Sequence, residues 1–154
     1  MNSGEIKAYT AALVDGEGTI RVSRQVSRAG VRYFPDVTIY NSDRRLPLFV
    51  QSNFGGVIRP TWHGGNRKLL YEWRVRRAEA KKFLRQIEPY LIAKREQARL
   101  ALSCPLGKSG RDTTPSEYQK MEDIHRKITI LNRRGRRAEQ LRMELKTQGQ
   151  LSLF

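Results

Sequence analysis

Apolar residues recur at helical spacing over the first fifteen positions and then switch to a period of two, and the same switch recurs further along the chain. NSGEIKAYTAALVD predicts a helix, with Asn2 or Ser3 as its cap and Glu5 in the first turn, where the dipole favours an acid. Ile6, Tyr9 and Leu13 form one apolar stripe on it. Ala8, Ala11, Ala12 and Asp15 form a second, made of small residues that let another backbone approach closely. Gly16 and Gly18 are expected to end the helix. TIRVSRQV then alternates, with Ile20, Val22 and Val26 inward and Thr19, Arg21, Ser23 and Gln25 outward. After the turn SRAG, VRYFPDVTIY returns with Val37 and Ile39 inward and Arg32, Asp36, Thr38 and Tyr40 outward; Pro35 marks an irregularity or an edge.

The second round is similar. NSDRRLPLFVQSNFGG predicts a short helix capped by Ser42 or Asp43, with Pro47 tolerated only in its first turn and Gly55 and Gly56 closing it. VIRPTW and KLLYEWRVR form a strand pair around HGGN, the second alternating Leu69, Tyr71, Trp73 and Val75 with Leu70, Glu72, Arg74 and Arg76. Helical patterns follow on both sides of Pro89, then again from a capping box of Thr114, Pro115 and Glu117. Tyr118, Met121, Ile128 and Leu131 are the expected buried face of that helix, with His125 among them. After RRGRR, a weakly amphipathic helix runs from Ala138 and frays by Gln148.

This order predicts an α+β fold: an αββαββα unit over residues 1–137 with a four-stranded antiparallel sheet and helices on one face, then a helical tail over 138–154. The other face of the sheet would carry Arg21, Ser23, Gln25, Arg32, Asp36, Thr38, Tyr40, Arg59, Thr61, Lys68, Glu72 and Arg74. That is a high density of long hydrogen-bonding side chains for a merely solvated surface.

Charge gives that face a partner. Lys and Arg number 30 against 15 Asp and Glu, a formal net charge of +15, and the pI is about 10.6. Such a surface attracts polyanions, and a β-ribbon bearing such side chains fits the DNA major groove. A single cysteine, Cys104, rules out an intrachain disulfide and points to a reducing compartment. MNSGEIK lacks the apolar stretch of a secretory signal, and no apolar run is long enough to span a membrane. The expected setting is therefore intracellular: a bacterial or archaeal cytoplasm, or an organelle matrix. His63 and His125 make no recognisable metal spacing with Cys104. RRGRR either grips phosphate or is a solvated charge run.

Against this charge, two acids at a helix end are out of place. A carboxylate just past a helix C-terminus faces the negative end of the dipole, which costs about 0.3–1 kcal/mol. Nearby phosphates would add to the repulsion, and a hard divalent cation with oxygen ligands would relieve both. An acidic turn that simply closes a helix is the plainer reading of the same residues.

Here a resemblance enters. TAALVDGEG resembles the LAGLIDADG motif of homing endonucleases from Ala11 to Gly18, with Thr10 replacing the leading leucine and Ala12 the usual glycine. FLRQIEPYLIAKREQARLAL is similar to the segment in which single-motif members carry Pro-aromatic-Leu, then lysine, then Gln-Ala. ILNRRG resembles the C-terminal region of single-motif, intron-encoded members. The three matches span residues 5–137 in the right order. The resemblance implies a site-specific endonuclease that hydrolyses both strands of a long pseudo-palindromic DNA target and leaves short 3′ overhangs. It implies that Glu17, with the Gly16 carbonyl, binds catalytic Mg²⁺, with Mn²⁺ or Ca²⁺ as substitutes in binding. Lys94 matches the basic residue that supports the hydrolytic water, and Asp43 falls near a polar water-ordering position. Pro47 occupies the place nearest the family's additional basic residue, with Arg44 and Arg45 as substitutes. One motif in the chain implies a homodimer packed through Ala8, Ala11, Ala12 and Asp15, with the two Glu17 residues meeting near the dyad. An intron RNA maturase, or a cleavage-dead DNA-binding protein of the same fold, is the alternative reading.

Overall fold

A computed structural model of the chain describes residues 1–63, 68–106, 113–133 and 136–149. The elements run α1 (Ser3–Glu17), β1 (Gly18–Ser27), β2 (Gly30–Asn41), α2 (Arg45–Phe54), β3 (Val57–His63), β4 (Lys68–Arg76), α3 (Arg77–Ile87), a 3-10 turn (Glu88–Tyr90), α4 (Arg95–Ser103), α5 (Pro115–Asn132) and α6 (Arg136–Thr147). The four strands make one antiparallel sheet in the order β1-β2-β4-β3. Helices pack on the face built by Ile20, Val22, Val37, Ile39, Trp73 and Val75. Ala11 and Val14 of α1, Phe83, Leu84 and Ile87 of α3, and Met121, Ile124 and Ile128 of α5 complete one core. The expected α+β architecture is present.

Several local expectations need correction. Helix α1 runs through Gly16 to Glu17, because its last turn is held from outside and the cap falls to Gly18, whose N–H reaches Val14 O. Its faces are also rotated from the expected stripes. Thr10, Ala11 and Val14 point into the core, while Ala8, Tyr9 and Ala12 are exposed. Ala11 is therefore part of this chain's own core and not of a contact surface. Val26 is exposed, since the β1–β2 hairpin extends beyond the reach of the helices. Pro35 sits in an interior strand. It lies one residue beyond the last β2–β4 pair, Asp36 with Arg76, so the N–H it lacks is not needed there. The helical pattern around Pro89 is broken into α3, the 3-10 turn and α4, with residues 91–94 non-helical between them.

Strand β1 is an edge, and α5 covers it. Asn132 donates to Ile20 O at 2.8 Å, and His125 Nδ1 lies 2.6 Å from Val22 O. A carbonyl only accepts, so Nδ1 carries the ring proton. These contacts occupy backbone acceptors that would otherwise invite another strand. Helix α6 begins at Arg136 and buries Leu145 against Leu131, with Leu100 and Ile130 beside them. No described helix is long and apolar enough to cross a membrane. The expected HGGN turn beyond residue 63, the loop from residue 107, the centre of RRGRR and the chain end from residue 150 lie outside the described residues.

Candidate functional site

Helix α1 is started by local chemistry and finished by distant chemistry. At its N-terminus Asn2 Oδ1 accepts from Glu5 N while Glu5 Oε2 accepts from Asn2 N, a reciprocal capping box. At its C-terminus the ends are tied to the segment before α4. The Asp15 carboxylate accepts from the backbone N–H groups of Ile92 (2.8 Å) and Lys94 (2.9 Å). The Lys94 ammonium donates to the carbonyls of Val14 (2.8 Å), Asp15 (2.7 Å) and Gly18 (2.8 Å). A cation here answers both the unsatisfied carbonyls and the negative end of the dipole. Gly18 permits the tight exit into β1, since a Cβ there would lie 2.8 Å from Val14 Cα and O.

This geometry separates the roles of the two acids. Asp15 is engaged within its own chain. Glu17, the last helical residue, is exposed, and among the described residues no side chain pairs with it. The Glu17 carboxylate and the backbone carbonyl of Gly16 before it are oxygen donors, the class of ligand a hard divalent cation takes. No group of three or more His, Cys, Asp or Glu side chains suited to a metal occurs among the described residues. Among the described residues, Glu17 is the one carboxylate at this helix end not engaged within the chain. The ammonium of Lys94 is turned onto backbone oxygens, which makes it a holder of this helix end. Asp43 stands at the entry to α2, where it accepts from the Arg45 backbone N–H (3.0 Å) and pairs with the Arg45 side chain (2.5 Å). The Arg45 side chain, then its amide, hold the Asp43 carboxyl down at about 2.

A cleft of about 420 Å³ opens beside the end of α1, lined by Gly18, Thr19, Lys94, Gln97, Arg142 and Lys146 among others. Arg142 and Lys146 come from α6 and were not singled out from sequence. A weakly amphipathic tail gives no sign of where it docks.

The sheet face opposite the helices joins β1, β2 and β4 through a polar network. Asp36 is fully buried and accepts from Arg21 Nε (3.2 Å), Ser23 Oγ (2.8 Å) and Arg74 Nε (2.9 Å), with a further short contact from Arg74 Nη2. Burial pushes its carboxyl up, but the Arg74 hydrogen bond, the Arg21 charge and the Ser23 hydroxyl outweigh that, so its pKa is lowered from the ordinary 3.8. Burial and the neighbouring Glu72 charge raise the Tyr40 hydroxyl. Asp36 and Thr38 were expected to reach outward to a ligand. Both are buried, because the long arginine side chains close over the middle of the face. Arg32, Arg59 and Lys68 remain exposed around it, and Gln25 is exposed near the hairpin end; Thr61 is half-buried. Phe34 also belongs to this face and is covered by Arg76 and Arg77, whose guanidinium carbons lie 5.1 and 5.0 Å from its ring centre. Strand alternation groups Arg76 with Arg74 and Glu72, but nothing in the pattern signals that it and Arg77 cover Phe34.

No family model matches the sequence, and no curated protein matches it. Solved structures do match. The homing endonuclease I-CvuI in complex with the I-CreI target superposes with a TM-score of 0.72 at 23% identity, over 96% of both chains. The archaeal intron-encoded homing endonuclease I-Vdi141I complexed with DNA gives 0.69 at 17% identity, over 88% of this chain and 89% of that one. The chain has the fold of the LAGLIDADG homing endonucleases. A third neighbour with this fold, I-SmaMI bound to cleaved DNA, gives 0.60 at 18% identity over 77% of this chain but only 42% of its own. The matched fold thus spans nearly all of one neighbour's chain and less than half of another's.

Proposed function

We propose that the protein is a homodimeric, Mg²⁺-dependent endonuclease that cuts double-stranded DNA at a long, pseudo-palindromic site. The observation that carries this reading is Glu17, exposed and unpaired among the described residues, beside a strongly basic sheet face, in a fold that I-CvuI and I-Vdi141I show in complex with DNA. In that reading each protomer binds one half-site with the β1–β4 face. The exposed small residues Ala8, Ala12 and Gly16 of α1 meet their counterparts in a second copy, which brings two Glu17 carboxylates together and completes the site. The match to the whole length of I-CvuI but under half of I-SmaMI supports one motif per chain and two chains per site.

Glu17 and the Gly16 carbonyl would hold the divalent ion, which, when bound, supplies Lewis-acid polarisation of the phosphoryl oxygen and an acidified water. The chain's own residues do the rest. Lys94 and Asp15 fix the end of α1, so Glu17 stands at a set height above the sheet. The basic cleft beside Gly18 takes the flanking phosphate charge.

The decisive variant is Glu17→Gln. Cleavage of a duplex selected from a randomised library should vanish, while binding of that duplex survives. Retained cleavage by the variant would sink the assignment. A wild type that binds one sequence tightly and never cuts it would favour a DNA-binding derivative of the fold.

A further inference from the structure

Asp36 is an acid in the middle of a face otherwise suited to phosphate, and it has no exposed surface. Its two oxygens serve two arginines in different ways. Arg74 engages through Nε and Nη2 together, and its remaining Nη1 lies 3.7 Å from Glu72 Oε1. Arg21 is tied through Nε alone, at 3.2 Å, and its side chain keeps 38% of its surface exposed. Among the described residues, neither terminal nitrogen of Arg21 has another hydrogen-bond partner. A guanidinium held by Nε cannot swing freely, yet it still presents two parallel N–H donors. That fork matches the O6 and N7 acceptors of guanine in the major groove. Ser23, on the same strand as Arg21, completes the grip on the carboxylate with a 2.8 Å hydrogen bond.

We infer that Asp36 is a positioning residue that aims Arg21 at one guanine in each DNA half-site, and that it makes no DNA contact itself. The inference rests on the DNA-recognition reading above and adds to it which side chain reads, which base class it reads, and what holds it. The carboxylate cancels one positive charge per protomer, so it weakens general attraction to phosphate while sharpening the reading of one base. Its removal should therefore move the two kinds of binding in opposite directions, which a merely structural role would not do.

The test is a binding selection on a randomised duplex library, without a cleavage-competent metal. It compares the wild type, Arg21→Lys, Asp36→Asn and Ser23→Ala. The wild type should enrich a G·C pair at one position per half-site. Arg21→Lys and Asp36→Asn should lose that preference at the same position, by roughly 5- to 150-fold, the range for one bidentate contact. Affinity of Asp36→Asn for random duplex should hold or rise, with a salt dependence at least as steep as the wild type's. Ser23→Ala should relax the same position more mildly, and it decides the matter if Asp36→Asn does not fold. Full retention of the guanine preference in Asp36→Asn or Ser23→Ala overturns the inference. So does a loss spread evenly over all positions and tracking a fall in melting temperature. A wild type that enriches no sequence would overturn the DNA-recognition reading as well, an outcome distinct from those of the variants.

Discussion

Lys94→Met is the perturbation whose size follows most directly from the structure. Methionine preserves the length of the side chain but removes the ammonium that bridges the carbonyls of Val14, Asp15 and Gly18 at 2.7–2.8 Å. A hydrogen bond to a charged group contributes about 1.5–3 kcal/mol taken singly. Three that share one half-buried charge do not add, and the two backbone bonds to Asp15 persist in the variant because they come from the amides of Ile92 and Lys94. A net loss of about 3 kcal/mol is the reasonable figure. For a chain of this size that lowers the melting temperature by about 6–12 °C. Thermal and urea unfolding of the protein without DNA or divalent metal measure this with no contribution from chemistry. A melting temperature changed by less than about 2 °C, with cleavage abolished, would refute the structural role assigned to Lys94 and return the residue to the reaction itself.

Other consequences are equally open to measurement. The lowered pKa of Asp36 means that its contribution to stability is fully present above the ordinary carboxylate range and disappears as pH falls below about 3.8 through its folded value; acid unfolding of Asp36→Asn should accordingly show a flatter limb below that pH than the wild type. Gly18→Ala forces a Cβ to within 2.8 Å of Val14 backbone atoms and should cost about 1–3 kcal/mol in chemical denaturation. Gly16→Ala meets nothing within 4 Å among the described residues, so it should raise intrinsic stability by up to about 1 kcal/mol while weakening self-association in sedimentation, if a second copy packs there. Burial pushes the Cys104 thiol up to about 11, and the thiol should resist alkylation at pH 8 until the chain unfolds.

Strand alternation identified the two faces of the sheet because a period of two fixes the side on which a residue lies. It did not report depth: Arg21 and Asp36 alternate onto the same face, yet the arginines spread over that face and bury the acid beneath them. Alanines were the weak point in α1. Ala8, Ala11 and Ala12 look alike in a hydropathy pattern, and only packing against β1 and β2 decides that Ala11 turns inward. DGEG stood out through its charge, but the division of labour between its acids depends on Ile92 and Lys94, nearly eighty residues away, and no local pattern carries that information. The same holds for Arg142 and Lys146, which reach the cleft only because α6 docks on α5.

That distant tie has a bearing on the order in which the molecule acquires its parts. Helix α1 can be initiated as soon as residues 2–5 exist, but its final turn needs a partner segment that is made 77 to 80 residues later. Closing so long a loop carries an entropic cost that local contacts do not repay until the sheet and α3 have brought the two segments together. A nascent or truncated chain ending before residue 92 would therefore have the acidic sequence without its fixed presentation. For a protein proposed to cut DNA, maturation of the carboxylate's surroundings becomes a late event of folding, and incomplete copies are left unarmed.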